Sequence, residues 1–510
     1  MIDINMLACQ SPAEKTARNE QHMATRDGKQ FVDRLRRFPR EVWIEGKRVT
    51  DVTAHPAFRR SVQQLARLYD MQQEPGLRDA LTFMVPETRE RAGAAFMPAR
   101  TLADLKKRRE AYRLWAEATF GLMGRSPDFL NVTLLAFAEA RSVFGRGGER
   151  YAQNVQRYYE YVRDNDLFLS HALIAPQNDR SKASSGQTDT TLHLKAVQET
   201  SEGIVVAGAR MLATLGPVSD EMIIYNLPMF RPGDEDHAVM FAVPTHTKGL
   251  RQICRTPYDR ADQSSFDHPL ASRFEEADAL LVFDDVFVPW ERVFAYRDVA
   301  LCNAIYPDTA LRNHTAHQTN TRALVKMQFA VGLAIAVARA IKADQFLHVQ
   351  QMLGECLGYI EFIKSALIRS EVEHETTPSG YVRAALAPLQ ALRAFLPSAY
   401  PRVIEVLQTI GAGGLMMMPS GADCDAPEIS DVVARYYQGV GVSSQDRVKL
   451  FKLAWDLAGD AFGSRQLQYE RYYAGDPVRI LAGNYVNCED HELMALVDTA
   501  RKLVGHQIED

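Results

Sequence analysis

Cysteine is scarce and scattered in this chain: the six residues stand at 9, 254, 302, 356, 424 and 488, never as CxxC. That spacing argues against a disulfide framework or a zinc ribbon and predicts reduced, mostly buried thiols in a cytoplasmic protein. Basic runs are also missing. No Lys/Arg block exceeds KKRR at 106–109, and a net charge of -5 with a pI near 6.3 offers a polyanion nothing to bind, so nucleic acid is not an expected partner. The phosphate and metal motifs are absent as well. There is no GxGxxG after a strand, because the glycine clusters at 145–148 and 411–414 follow helical patterns and lack the spacing; there is no Walker A sequence, no GxSxG, and no second histidine after His491-Glu492. A Rossmann fold, a P-loop nucleotide site and a zinc hydrolase are disfavoured, and no metal site is expected. Residues 1–21 lack a basic segment followed by an apolar core, so no secretion signal is expected. The most apolar helix, read as Met327 to Ala338, contains Gln328, precedes Arg339 and is too short to span a bilayer.

What is present is an ordinary globular composition, 46% hydrophobic and 24% charged over 510 residues, enough for three units or one large enzyme subunit. A polar tail, expected to be disordered, covers residues 1–23. Residues 24–166 read as helical: TLADLKKRREAYRLWAEATFGLMG starts at an N-capping Thr101 and repeats its apolar residues at helical intervals. EVWIEGKRVTDV reads as a surface hairpin turning at Glu45-Gly46. From about 190 to 290, β-type runs follow one another without helices: GIVVAGARML, EMIIYNL, AVMFAVP, GLRQICR and ALLVFDDVFVPW. They predict an antiparallel barrel or sheet, in a middle unit spanning 167–292. Residues 293–510 return to long amphipathic helices, which predict a bundle. The fold class is therefore α+β, mostly α.

His171 stands at the first junction, in LFLSHALIAPQNDRSK, where an apolar run breaks into a polar loop. A lone histidine on an apolar segment is more often a satisfied core residue than a catalyst. Its place between two units raises the functional reading, because ligands favour such junctions.

Six segments, in order, carry a resemblance over nearly the whole chain: RDGKQFVDRLRRFPREVWIEGKRVTDVTAHPAF, MGRSPDF, HALIAPQNDR, GARMLATLGPVSDE, FDDVFVPWERVFAYRD and DRVKLFKLAWDLAGDAFGSR. The sequence resembles the oxygenase component of two-component, FADH2-dependent aromatic monooxygenases, the 4-hydroxyphenylacetate 3-hydroxylase family. The resemblance implies an acyl-CoA dehydrogenase-like fold with a helical N-terminal domain, a middle β-barrel and a C-terminal four-helix bundle that assembles homotetramers. It implies FAD bound without a dinucleotide fingerprint and used as FADH2, with O2 as co-substrate. It also implies a small aromatic substrate and a separate NAD(P)H:flavin reductase. The expected reaction is ortho-hydroxylation of a para-substituted phenol through a flavin C4a-hydroperoxide.

By the same resemblance Arg125 and His171 belong to the phenol site as catalytic residues. Phe129 forms a third wall where tyrosine is usual, and Asn226 and Leu227 lie where a loop covers the substrate. His171, Ala172 and Leu173, together with Gln177, Asn178, Asp179 and Arg180, are expected to line the flavin, and Thr214 to bond its ring. Gly463, Ser464, Arg465 and Gln466 are expected at the cofactor's far end. The residue types suit the chemistry: a phenol of pKa near 10 needs a hydrogen-bond partner or base, which histidine supplies, and a fixed positive charge, which arginine supplies. Read without the resemblance, Arg125 fits a cation at the end of the preceding helix, Asp179 and Arg180 a surface pair, Thr214 a strand residue, and Met416 to Met418 core packing.

Two other functions compete. An acyl-CoA dehydrogenase or dehydratase would share the fold, but the related hydroxybutyryl-CoA dehydratases need closely grouped cysteines for an iron–sulfur cluster, which this chain lacks. A non-catalytic helical assembly protein would bind no flavin.

Overall fold

The computed structural model describes residues 25–260, 263–486, 488 and 490–504, so the expected tail lies outside the described residues. The helical first part holds α1 (Leu102–Ala118), α2 (Pro127–Glu139) and α3 (Glu149–Asp164). Thr101 caps α1 as expected: its hydroxyl accepts the Asp104 amide at 3.2 Å and the Asp104 carboxylate accepts the Thr101 amide at 2.9 Å, satisfying two otherwise orphaned donors.

Strand β1 (Glu41–Ile44) turns through Glu45 and Gly46, both at positive φ, into β2 (Lys47–Val49), the predicted hairpin. A second small hairpin pairs β3 (Thr82–Met84) with β4 (Arg91–Gly93). The β-rich region continues through β5 (Leu169–Ala172), β6 (Lys195–Glu199), β7 (Gly203–Thr214), β8 (Glu221–Ile224), β9 (Val239–Pro244), β10 (Leu250–Cys254), β11 (Asp278–Pro289) and β12 (Val293–Tyr296). They form two sheets, a six-stranded one in the order β2-β1-β10-β11-β7-β6 and a four-stranded one in the order β12-β9-β8-β5.

This corrects the sequence reading in two ways. The hairpin is not a separate surface unit, because β1 pairs in parallel with β10 and so extends the larger sheet. β5 likewise pairs in parallel with β8, so the region is not purely antiparallel. Both parallel strands enter from the helical part, and long connections permit parallel pairing. Among the described residues the strand pairings do not close into a barrel; the sheets face each other, with Phe241 and Phe283 packed edge to face at 5.8 Å between them.

Beyond β12 the described residues hold helices and, as their one strand pair, a short hairpin of β13 (Glu375–Thr376) and β14 (Val382–Arg383). The long helices are α4 (Leu311–Ala340), α5 (Leu347–Val372), α6 (Leu386–Met416), α7 (Ser444–Ala458) and α8 (Ala461–Tyr472). α4 is much longer than the expected Met327 to Ala338, and by length and composition alone it could cross a membrane. Its surroundings explain its apolar character instead: most of it is buried in the bundle, and its Arg322 and Lys326 both reach Glu470 on α8, at 2.6 and 2.8 Å. Met416 and Met417 are exposed, not core. Cys254, Cys302 and Cys356 are buried free thiols, as the spacing predicted.

The helical and β parts are locked together at Asp220, just before β8. Its buried carboxylate takes Arg26 at 2.6 Å, Arg34 at 3.2 Å and the Phe168 amide at 2.9 Å. Burial alone would raise its pKa, but Arg26 and Arg34 more than offset this and hold it below the usual carboxylate range. Asp220→Asn should cost about 3–5 kcal/mol, the range for breaking one side of a buried pair, read as a lower denaturant midpoint. With a depressed folded pKa, the wild-type advantage should be present above pH ~4 and fade as pH falls below it; an unchanged midpoint would contradict this.

Candidate functional site

Arg125 lies in the turn between α1 and α2, where Pro127 opens α2 with its φ already set for a helix. Gly124 is required in that turn, since a Cβ there would stand 2.3 Å from the ring of Tyr469. The close approach lets the Tyr469 hydroxyl donate to the Gly124 carbonyl at 3.1 Å and receive a short hydrogen bond from Arg125 Nη1. The guanidinium also sits 4.1 Å from the Phe129 ring centre, and Nη2 donates to the Tyr473 carbonyl at 3.4 Å. α1 ends at Ala118, and the contacts of Arg125 run to α8 and β5, so it is not a cap on the preceding helix.

His171 lies in β5, every residue of which is buried. Arg125 Nε–H points at His171 Nε2 at 3.3 Å, and the Tyr225 hydroxyl lies 3.0 Å from Nδ1. Phe129 meets the imidazole edge to face at 5.5 Å. Burial, and secondly the charge of Arg125, push the His171 pKa well below the ordinary histidine value, so the ring is neutral near pH 7. Arg125, Phe129 and His171, 46 residues apart at the extremes, thus form one constellation of cation, aromatic wall and neutral imidazole.

Ala172 and Leu173 continue from His171, and Thr214 lies beside them: Ser170 Oγ donates to the Thr214 carbonyl at 2.7 Å, and Ile174 bridges to Met211 on β7. The Thr214 hydroxyl donates to Asp278 at 2.7 Å. Next to it Leu212 is 49% exposed at φ 66, a left-handed conformation that a leucine rarely adopts. Gln177, Asn178, Asp179 and Arg180 are exposed. Asp179 bonds Ser181 and pairs with Lys182 at 3.5 Å rather than with Arg180.

Asn226 is buried and accepts from Arg210 at 2.7 Å while donating to the Val239 carbonyl at 2.8 Å, and Leu227 beside it is half-buried. On α8, Gly463 is packed so tightly that a Cβ would stand 2.3 Å from the Leu457 carbonyl oxygen, Ser464 is exposed, and Gln466 is committed to Lys326 at 2.6 Å and the Leu122 carbonyl at 3.0 Å. Arg465 is the member of that group joined to the site. It bonds both oxygens of Asp278, at 2.9 and 3.1 Å, and Glu276 at 2.6 Å; Glu276 in turn takes the Arg125 amide at 3.0 Å. Although burial pushes Asp278 up, Arg465 and Arg255 hold it far below the usual range, fully ionised.

Sequence reading missed Tyr225, Tyr469, Tyr473, Glu276 and Asp278. Arg465, Tyr469 and Tyr473 fall at i, i+4 and i+8 along α8 and its end, a one-face pattern that was visible in SRQLQYERYY. Tyr225 had only its place beside Asn226 to recommend it.

Residues 27–295 match the family described as 4-hydroxyphenylacetate 3-hydroxylase N terminal, and residues 302–503 its C-terminal counterpart. The chain is 42% identical over 455 residues to the 4-hydroxyphenylacetate 3-monooxygenase oxygenase component of Thermus thermophilus, covering 89% of this chain and 93% of that one. A crystal structure of such an oxygenase component, complexed with FAD and 4-hydroxyphenylacetate, superposes with a TM-score of 0.89 at 40% identity, covering 94% of this chain and 99% of the other. The 4-hydroxybutyryl-CoA dehydratase of N. maritimus shares the fold at a TM-score of 0.84, with 20% identity and coverages of 95% and 96%.

The electrostatics of the constellation can be tested directly. By NMR of ring-labelled histidine, the His171 signal should titrate well below that of an ordinary histidine, whose midpoint lies near 6.5. Arg125→Gln removes the second cause of the depression and should move the midpoint upward. A wild-type midpoint near 6.5 would contradict the buried, Arg125-facing placement.

Proposed function

The chain belongs to the 4-hydroxyphenylacetate 3-hydroxylase family and is the oxygenase component of a two-component, flavin-dependent aromatic monooxygenase, and from that premise we propose how its own residues bind and activate the substrate. The observation that carries the proposal is the Arg125–His171 contact at 3.3 Å. FAD, in its reduced form and with O2, supplies the electrophilic oxygen; a separate reductase supplies the reduced flavin. What remains for the protein is to bind a phenol, hold its ring and make it electron-rich.

Arg125 is always charged and is held by Tyr469, the Gly124 carbonyl and the Tyr473 carbonyl. A phenol oxygen placed beside it gains a fixed cation, which favours loss of its proton. His171 is neutral, and when the phenol takes the place of the Arg125 N–H at Nε2 that nitrogen accepts the phenol's hydrogen bond and then its proton. Phe129 supplies an apolar wall with no hydroxyl of its own, and Asn226 holds the loop carrying Leu227 over the site through Arg210.

The residues around Thr214 fit a flavin. The Thr214 proton is given to Asp278, which leaves its oxygen as an acceptor, the complement of a ring N–H. Leu212 offers an exposed apolar face beside it, and Gln177, Asn178 and Arg180 offer exposed polar groups for a phosphate-bearing tail. Arg465 contributes by holding Asp278, with Ser464 the exposed group nearest it in sequence. Gly463 and Gln466 shape α8.

The finer architecture follows the same reading. Residues 24–166, 167–292 and 293–510 act as a helical domain, a barrel-like β domain and a bundle, in a cytoplasmic homotetramer. Leu347, Phe362 and Val372 on α5, with Met416 and Met417, leave apolar surface that subunit association would cover. Light scattering should return about four times 57.3 kDa; a monomer would contradict the assembly.

With reduced FAD, oxygen and a para-substituted phenol, His171→Ala should lose about 10²–10⁴-fold in hydroxylation while still consuming oxygen and releasing hydrogen peroxide. The product-to-oxygen ratio measures this. Coupling equal to wild type would make His171 a core residue and sink the proposed role.

A further inference from the structure

His171 has one hydrogen to place and two neighbours that decide where it goes. Arg125 is a donor only, so the nitrogen it faces, Nε2, must carry the lone pair. A neutral imidazole has a single N–H, and with Nε2 bare that hydrogen is on Nδ1. Nδ1 stands 3.0 Å from the Tyr225 hydroxyl, which therefore accepts from it. The Tyr225 hydroxyl keeps its own proton, because burial holds its pKa well above the usual tyrosine value, and the Tyr306 ring stacks beside it with centres 6.2 Å apart. Arg125 and Tyr225 therefore hold the two ring nitrogens from opposite sides, Arg125 as donor to Nε2 and Tyr225 as acceptor from Nδ1–H.

We propose that Tyr225 is the positioning residue of the site: it fixes His171 in the Nδ1–H tautomer so that the Nε2 lone pair, beside Arg125, is the atom that receives the substrate's proton. The inference rests on the proposed role of His171 and adds a residue that makes that role possible. Phe129 cannot share the task, since it presents only carbon to the imidazole. In the step itself the phenol takes the place of the Arg125 N–H at Nε2: its O–H bond breaks with the electron pair left on oxygen, Arg125 donates to that oxygen instead of to the imidazole, and an N–H bond forms at Nε2. The resulting imidazolium carries both N–H groups, and the Nδ1–H stays bonded to Tyr225. Without the Tyr225 hydroxyl only Arg125 favours this tautomer and the Nδ1–H is left without an acceptor, so the other tautomer, whose Nε2–H offers the phenol no acceptor, gains population.

The test uses the full-length protein and Tyr225→Phe, which keeps the ring and deletes the oxygen. 15N NMR of labelled histidine, which separates protonated from bare ring nitrogens, should show wild-type His171 protonated at Nδ1 and bare at Nε2. In Tyr225→Phe the two nitrogens should average toward each other. Turnover of the variant should fall about 10-fold or more in kcat with KM changed less than about threefold, since substrate still meets Arg125; this split is that of a group acting in the reacting state. A wild-type His171 protonated at Nε2, or a variant whose tautomer is unchanged, overturns the proposal whether or not the variant is active. If instead the tautomer shifts while kcat does not, Tyr225 positions a histidine that the reaction does not use, and it is the catalytic reading of His171 that fails.

Discussion

The site depends on burying arginine charge where three distant parts of the chain meet. Arg125 comes from the turn before α2, Glu276 and Asp278 from the start of β11, and Arg465 from α8, and each is held by at least one of the others. Arg255 joins from the end of β10, bonding Glu275 at 2.5 Å and Asp278 at 2.9 Å. A buried charge without a partner costs several kcal/mol, so these segments cannot separate without each paying that cost. Hydrogen bonds tie both ends of this network to the site, the Thr214 hydroxyl to Asp278 and the Arg125 backbone amide to Glu276, so one set of ion pairs between them orders its two halves.

That constraint also explains why α8, far from the β sheets in sequence, behaves as part of the site. Arg465 faces the acidic end of β11, Tyr469 fills the space left by Gly124, and Glu470 neutralises Arg322 and Lys326 on α4. One helix therefore satisfies buried charges on both of its sides. Lys326 shows how enclosed the region is: burial, with Arg322 nearby, brings its pKa down to about 8 although Glu470 opposes the shift.

Much of this was legible in the sequence, and the reasons differ by residue. The strands from Gly203 to Pro289 declare themselves by β-branched runs, and α1 by its cap, because these are local signals. Arg125, Phe129 and His171 were readable through family motifs, and the structure brings them together. The parallel pairing of β1 with β10 and β5 with β8 was not readable, because register between strands far apart in sequence depends on tertiary packing. Nor was the length of α4, whose buried polar residues find partners far away in sequence, His314 at Glu139 and Gln318 at Asp128 on α2 and Arg322 at Glu470 on α8. Tyr225 was passed over for a similar reason: alone it is an aromatic at a strand end, and only its 3.0 Å approach to His171 gives it a role.

Catalysis in this account comes from a cation and a neutral imidazole converging on one phenol oxygen, in surroundings that exclude the proton His171 would otherwise carry. The measurement that tests it most directly is oxygen-isotope tracing: the protein, reduced FAD from a separate reductase, a para-substituted phenol and 18O2, with the product weighed by mass spectrometry. The account predicts a catechol carrying one 18O atom, with no product when the phenolic hydroxyl is replaced by methoxy. Product formed equally well from the methoxy compound, or oxygen reduced only to peroxide with every phenol, would contradict it.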